Sequence, residues 1–135
     1  MELKNVHPSV LTLKKIYVNN FSFKREEEIK EYEAVVEIKR TSHSDEKNNV
    51  IKLELQCTVG DETIGMKLEI TLTGVFEFID GLNDAGRKKM LEQNATAILF
   101  PFLRSQIAIL TSQPDFTPLV LQPMNVVAMF ENQKV

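Results

Sequence analysis

The sequence predicts an α+β fold in which a four-stranded antiparallel sheet is followed by a long helix and a short C-terminal helix. Three observations support this prediction. Apolar and polar side chains alternate through most of the first 80 or so residues, as in strands with one buried face. A stripe at helical spacing then runs from Leu91 to Leu110, and an extended segment punctuated by Pro114, Pro118 and Pro123 follows it. Strands followed by helices are typical of the α+β class.

The first predicted strand has an irregular pattern. Its apolar side chains alternate over residues 11–13, change parity at residues 16–18, and change again at residues 21–23. Because side chains of a regular strand alternate strictly between two faces, each change of parity predicts a bulge or a bend.

The remaining strands are more regular. Residues 34–38 alternate, and the mixed-charge run 24–31 before them predicts that this crossover is a solvated loop or a short exposed turn of helix. Residues 51–59 and 64–72 alternate strictly on either side of Gly60, Asp61 and Glu62, which predicts a β-hairpin.

The helical region begins after turn-forming residues, among which Asn83 or Asp84 could cap the helix. Pro101 lies inside the apolar stripe and cannot donate a main-chain hydrogen bond to Ala97. The helix is therefore expected to kink or to break there. A short final helix is predicted over about residues 125–132.

Composition indicates one globular domain over residues 1–135, with 43% apolar and 26% charged residues. The net charge of −3 and the lack of a basic stripe argue against nucleic acid as a partner. The N-terminus lacks the apolar core of a signal peptide, and no apolar run reaches membrane-spanning length. A cytoplasmic protein without direct membrane insertion is expected.

The sequence contains no pattern typical of an active site. His7 and His43 lie outside any metal-ligand spacing, and Cys57 shares a predicted strand face with apolar residues. The five glycines form no phosphate-binding loop. We therefore expect a protein that is not an enzyme and that has no cofactor and no metal.

Several segments resemble the SecB family of export chaperones. The run ILFPFLR at residues 98–104 and the run DFTPLVLQPMNVVAMF at residues 115–130 resemble the family's ILFPY-like helix and its FPxLxLxPVNFxxLF-like segment, in the same order and spacing. KIYVNNFSF at residues 15–23 resembles the family's RIYTKDISFE stretch, and TGVF at residues 73–76 resembles its GGIF strand end. The resemblance extends from about Leu11 to Phe130.

The resemblance implies a homotetramer, built as a dimer of dimers, with long helices sandwiched between the sheets. Its grooves would bind unfolded or precursor polypeptides without ATP. The implied oligomer interface consists of Leu91, Ala95, Ile98, Leu99, Phe102, Leu103 and Leu110. The implied client groove is bounded by the second strand, residues 24–32, residues 115–124 and the last helix. The residues expected to contact clients are Phe21, Phe23, Val36, Ile38, Phe116, Leu119, Val127 and Phe130.

The sequence also departs from the family pattern. Members that pass clients to the SecA motor use acidic residues on the sheet face, but the corresponding positions here are Asn20 and Lys24, with Lys67 nearby. Only Glu69 keeps the acidic character and would be the motor contact. Three functions therefore stay open: a holdase acting in protein export, a holdase uncoupled from SecA and dedicated to another client such as an antitoxin, and a noncatalytic structural module for self-assembly.

Overall fold

The computed structural model describes residues 11–30, 35–79, 85–122 and 130. Their elements are β1 (Leu11–Arg25), β2 (Val36–Asp45), β3 (Val50–Asp61), a short 3-10 helix (Glu62–Ile64), β4 (Met66–Phe78) and α1 (Ala85–Leu110). The four strands form one antiparallel sheet in the order β1-β4-β3-β2. The predicted sheet and its long helix are confirmed, while the predicted final helix lies outside the described residues except for Phe130.

The sheet has one apolar face, which we call the inner face, and one polar outer face. The register pairs Leu55 with Leu72 and Cys57 with Ile70, so the apolar positions of β3 and β4 fall on the same side. Helix α1 covers this inner face and contacts β3, β4 and β1. The alternation in the sequence thus reflects a two-layer core with one solvated sheet face.

Strand β1 carries two irregularities at the predicted changes of parity. Its register with β4 shifts between Leu13 and Lys15 and again between Val18 and Asn20. Each shift places an extra residue in β1, which returns the following apolar side chains to the inner face. The bulges predicted from the sequence are confirmed.

The β3–β4 connection is a compact turn rather than an open loop. The carboxylate of Asp61 accepts hydrogen bonds from the hydroxyl of Thr63 and, at 2.8 Å, from the main-chain N–H of Thr63. The hydroxyl bond, followed by the main-chain bond, holds the pKa of the Asp61 carboxyl below its usual range. Gly65 has φ 80°, and a Cβ there would lie 2.6 Å from the carbonyl oxygen of Glu28. This glycine allows the crossover after β1 to pass closely over the turn.

Helix α1 continues through Pro101 as a single element, so the helix does not break there. Its buried stripe repeats every four residues and lies against the sheet. The stripe consists of Leu91, Ala95, Leu99, Leu103 and Ile107, all fully buried. Gly74 of β4 permits this packing, because a Cβ at Gly74 would come within 3.0 Å of the Leu99 side chain.

This packing corrects part of the predicted oligomer interface. Leu91, Ala95, Leu99 and Leu103 are covered by the chain's own sheet, so their side chains do not reach a surface that a second subunit could contact. The sequence pattern included these positions because core and surface residues of one helix share the same spacing.

Candidate functional site

A ring contact joins the end of β1 to the segment that follows α1. Phe23 and Phe116 meet edge to face, with ring centroids 4.9 Å apart and planes at 69°. Both side chains are half-buried and pack against the core from its margin. We call this region the apolar margin; its members are Phe21, Phe23, Ile29, Phe116 and Leu119.

The segment after α1, residues 114–122, is held in place by polar contacts and is here called the strip. The main-chain N–H of Leu119 donates to Oγ1 of Thr111 at 2.9 Å. Nε of Arg104 donates to the carbonyl of Leu121 at 2.8 Å. Because Leu119 is bonded to Thr111, just after the end of α1, and Leu121 is bonded to Arg104, which lies earlier on the helix, the strip runs back along α1. Its position does not depend on strand pairing, which Pro118 could not support by donation.

Arg25 connects the strip to the crossover that follows β1. Its guanidinium donates to the carbonyls of Glu26, Glu27 and Asp115, and it forms an ion pair with the Asp115 carboxylate at 3.5 Å. The crossover itself is fixed by main-chain hydrogen bonds from Glu26 to Gly65 and from Lys30 to Ile64. The side chain of Arg25 therefore joins the crossover to the strip at the apolar margin.

Strand β2 lies at the opposite edge of the sheet from β1. Val36 is 38% exposed, whereas Ile38 is only 5% exposed. Arg40 lies on the same face, and its Nη1 donates to Oγ1 of Thr96 on α1 at 3.1 Å. The guanidinium also lies 4.7 Å from the ring centroid of Phe130, a cation–π contact that places this C-terminal residue beside β2.

The residues expected to contact clients therefore fall into three groups. Phe21, Phe23, Phe116 and Leu119 are half-buried and pack against the core at the apolar margin, where Phe23 and Phe116 are in contact. Ile38 and Phe130 are buried, and Val36 is partly exposed, while Val127 lies outside the described residues. Sequence reasoning missed Ile29, Arg25, Arg40 and Arg104; for Arg40 a signal existed, since it shares the parity of Val36 and Ile38 in the sequence.

The other face of α1 is apolar and exposed. Ile98, Phe102 and Ile109 are 36%, 43% and 61% exposed. Beside Phe102 a groove of about 210 Å³ lies between the helix and β1, at an edge of the sheet. It is lined by Ile16, Tyr17, Val18, Leu72, Phe102 and Gln106. Leu110, from the same predicted interface, is half-buried against the core.

The outer face of the sheet is polar and of mixed charge. The register places Ser22 opposite Glu69, Lys24 opposite Lys67, and Asn20 opposite Thr71. Nζ of Lys67 lies 3.3 Å from Oε1 of Glu69. A polar cavity of about 250 Å³ opens beside them. Asn20, Lys24 and Glu69 thus share one patch of the outer face, in which Lys67 pairs with Glu69.

The described residues provide little for catalysis. Burial raises the pKa of the Cys57 thiol to about 11, so this cysteine is protonated and inert at neutral pH. Within residues 11–30, 35–79, 85–122 and 130, no group of three or more His, Cys, Asp or Glu side chains could hold a metal ion. In the same ranges, no helix is both long and apolar enough to cross a membrane.

Comparisons with known proteins agree with this architecture. Residues 4–135 match the family Preprotein translocase subunit SecB. A protein-export protein SecB from Anaplasma phagocytophilum is 37% identical over 65% of this chain and 60% of its own length. One from Alkalilimnicola ehrlichii is 38% identical over 48% of this chain and 34% of its own length. The two matches therefore cover about a third and about three fifths of the length of these relatives.

A solved structure gives the same fold. The SecB-like chaperone of Mycobacterium tuberculosis, in complex with a peptide from an antitoxin, superposes with a TM-score of 0.67 at 15% identity. The superposition covers 84% of this chain and 90% of that one. From the family match over nearly its whole length, the chain belongs to the SecB family.

Proposed function

We propose that this protein is an ATP-independent holdase, a noncatalytic chaperone that binds unfolded polypeptides at the apolar margin. The observation that carries the proposal is the Phe23–Phe116 contact, where two partly exposed rings from distant parts of the chain form one surface. Polar anchors from Arg25, Arg104 and Thr111 hold the strip, so its apolar side chains are not all needed to fix it. Such side chains can contact a client.

The energetics suit clients of varied sequence. Burial of apolar surface contributes about 25 cal/mol per Å², whatever residue provides it. Partial exposure of Phe21, Phe23, Phe116 and Leu119 leaves area for a client to cover. An unfolded chain offers several apolar segments, and several sites in one assembly would bind it with avidity. Binding would therefore depend on the unfolded state more than on one sequence.

The assembly we propose is a homotetramer built as a dimer of dimers. Strand β1 spans 15 residues at an edge of the sheet, and an edge of this length is suited to pairing with another strand. Ile98, Phe102 and Ile109 provide an apolar helix surface near this edge. The two surfaces allow two kinds of contact, one between strands and one between helices, as a dimer of dimers requires.

A holdase acting in export and a holdase dedicated to another client place different requirements on the outer face of the sheet. Export, the function in the relatives' names, would place the protein in the cytoplasm beside the SecA motor, with Glu69 as the contact. The Lys67–Glu69 ion pair and the neighbouring Lys24 favour the second candidate, a holdase uncoupled from SecA and dedicated to another client. The antitoxin peptide bound by the M. tuberculosis neighbour is a client of that kind.

The holdase proposal is tested by aggregation of a reduced, unfolded protein diluted from denaturant. We expect the purified chain to suppress light scattering at near-stoichiometric ratios without nucleotide. Scattering that continues unchanged while the assembly stays intact would leave the self-assembly module as the better account. Affinity for purified SecA separates the two holdase candidates: micromolar or tighter binding supports export, and its absence supports the dedicated clientele.

A further inference from the structure

We propose that Tyr17 lies on a two-fold axis of the assembly, where β1 pairs antiparallel with β1 of a second copy and the two Tyr17 side chains lie opposite each other. The inference rests on the assembly described under the proposed function and adds its partner strand and its register. It follows from the positions of two bulges in β1 and from the side chains between them.

Two bulges divide β1 into short regular stretches. Among the described residues, β4 is the only strand that pairs with β1, so β1 lies at an edge of the sheet. The register with β4 shifts between Leu13 and Lys15 and again between Val18 and Asn20. Because a bulge interrupts the regular spacing of main-chain donors and acceptors, pairing with a second copy is centred either on residues 15–18 or on the stretch that starts at Asn20.

The stretch that starts at Asn20 already contacts other segments of its own chain. The ring of Phe23 meets the ring of Phe116 on the strip. The guanidinium of Arg25 donates to main-chain carbonyls of the crossover and the strip. These contacts leave less room for a second copy beside residues 20–25.

Residues 15–18 instead lie beside apolar surface. The groove of about 210 Å³ between β1 and α1 is lined in part by Ile16, Val18 and Phe102. Val18 is 37% exposed and Phe102 is 43% exposed. A second copy paired with this stretch covers apolar side chains of the strand and of the helix together.

Two identical antiparallel strands pair about a two-fold axis. Directly opposite residues of antiparallel strands point to the same face, so the axis passes through one residue, which lies opposite its own copy. With Tyr17 on the axis, Ile16 of each copy lies opposite Val18 of the other. All three central pairs are then aromatic with aromatic or aliphatic with aliphatic, which stabilises a sheet.

The other axes in this stretch give poorer pairs. An axis through Lys15 places two lysines opposite each other, which is destabilising. An axis through Ile16 places Val18 opposite Lys14 of the second copy. An axis through Val18 places Ile16 opposite Asn20. The side chains of β1 therefore favour Tyr17.

The outer face also suits a pair of Tyr17 side chains. Tyr17 lies opposite Thr73 in the register with β4, and since the neighbouring Leu72 points to the inner face, Thr73 and Tyr17 point to the outer face. Nζ of Lys15 lies 5.4 Å from the ring centroid of Tyr17, a cation–π contact. Two tyrosines across the axis thus form an aromatic pair with a lysine at each end.

The first test uses the tyrosines of the native chain, of which there are two, Tyr17 and Tyr32. Illumination with a ruthenium complex and persulfate couples adjacent tyrosine rings to dityrosine, which gives a covalent dimer on a denaturing gel. We expect this dimer in the wild type and in Tyr32→Phe, and its loss in Tyr17→Phe. A covalent dimer that persists in Tyr17→Phe and disappears in Tyr32→Phe overturns the inference.

Introduced cysteines distinguish the registers. Tyr17→Cys should form a disulfide between two copies, because the Cα atoms of directly opposite residues lie about 4.5–5.5 Å apart. Ile16→Cys and Val18→Cys should not form one singly, since each lies on a diagonal of about 7–8 Å from its own copy. The double variant Ile16→Cys, Val18→Cys should form it. A disulfide from either single variant places the axis on that residue and contradicts the register. Cys57 is buried and does not compete.

The remaining outcomes separate the inference from the proposed function. If Tyr17→Cys forms the disulfide but the protein does not hold an unfolded client, the holdase proposal fails and the register stands. If sedimentation velocity shows an assembly that holds clients while positions 16, 17 and 18 give no disulfide, the register is wrong and the holdase proposal stands. A chain that is monomeric in solution also overturns the register.

Discussion

Arg25 and Asp115 join the end of β1 to the strip although 90 residues separate them in sequence. The ion pair at 3.5 Å is accompanied by hydrogen bonds from the same guanidinium to three main-chain carbonyls. Since those carbonyls belong to both the crossover and the strip, Arg25 holds these two segments together at the apolar margin.

Arg25→Ala should therefore destabilise the strip. We expect a loss of about 1–2 kcal/mol in the free energy of unfolding, because main-chain carbonyls lose their donor. Urea denaturation measures the loss, and amide exchange at Leu119 reports the local loosening.

Asp115→Asn is the matched control for that variant. The carboxylate is highly exposed, so its charge contributes little. Asparagine also tolerates the positive φ of 56° at this position. We expect a change below about 0.5 kcal/mol. A larger loss for this variant than for Arg25→Ala would show that the charge, not the main-chain bonding, holds the strip.

Phe116→Ala tests the apolar margin as the client site. Removal of this ring leaves Phe23 without its partner, and we expect roughly tenfold weaker binding of an unfolded protein. Val120→Ala, on the same strip but more exposed, should change affinity by less than about twofold. Anisotropy with a reduced, labelled client measures both. Identical affinities for the two variants would exclude Phe116 from the site.

Substitutions on the two faces of α1 should have opposite effects. Phe102→Asp places a charge on the exposed face and should dissociate the assembly while the circular dichroism spectrum stays native. Leu99→Ala removes a fully buried side chain and should lower stability by about 2–5 kcal/mol. Sedimentation velocity and urea denaturation distinguish the two. A tetramer unaffected by Phe102→Asp would contradict the proposed helix contact.

Burial of Cys57 makes the free energy of unfolding depend on pH in the alkaline range. The pKa of its thiol is about 11 in the folded chain against an ordinary value of 9.0, so above pH 9 the unfolded state loses its proton first. Fewer bound protons in the unfolded state mean that the free energy of unfolding falls as pH rises. The fall should occur between pH 9 and 11, on the order of 2 kcal/mol.

Cys57→Ala isolates this contribution. At neutral pH the variant is less stable because of the cavity it creates, but its stability should fall less steeply between pH 9 and 11. Parallel slopes for the variant and the wild type would show that the thiol titrates normally in the folded state.

Much of the fold is predictable because burial imposes a period on the sequence. The strict alternation over β3 and β4 fixed their pairing, and the parity changes in β1 marked its bulges. The role of each helix residue was harder to predict. Leu99 and Phe102 are three residues apart in one apolar stripe, yet Leu99 contacts the sheet and Phe102 is exposed. The hydrophobicity of a residue alone does not distinguish a position in the chain's own core from a position on a surface that binds a partner.

The candidate site was predictable only in part. Phe23 and Phe116 were expected to lie together, and the structure joins them. Ile38 was also expected at the site, but it is buried. Arg40 was missed because a lone charge in a strand is usually solvated, although its parity with Val36 and Ile38 already indicated the face that turns toward α1.

Site-specific photocrosslinking tests the central claim most directly, namely that unfolded polypeptide binds at the apolar margin. A photoreactive phenylalanine analogue replaces either Phe116, a half-buried member of the apolar margin, or Lys52, which is exposed on the outer face. With a reduced, unfolded client, we expect crosslinks from position 116 and none from position 52. Crosslinks from position 52 alone, or from neither position while the assembly is intact, would contradict the account.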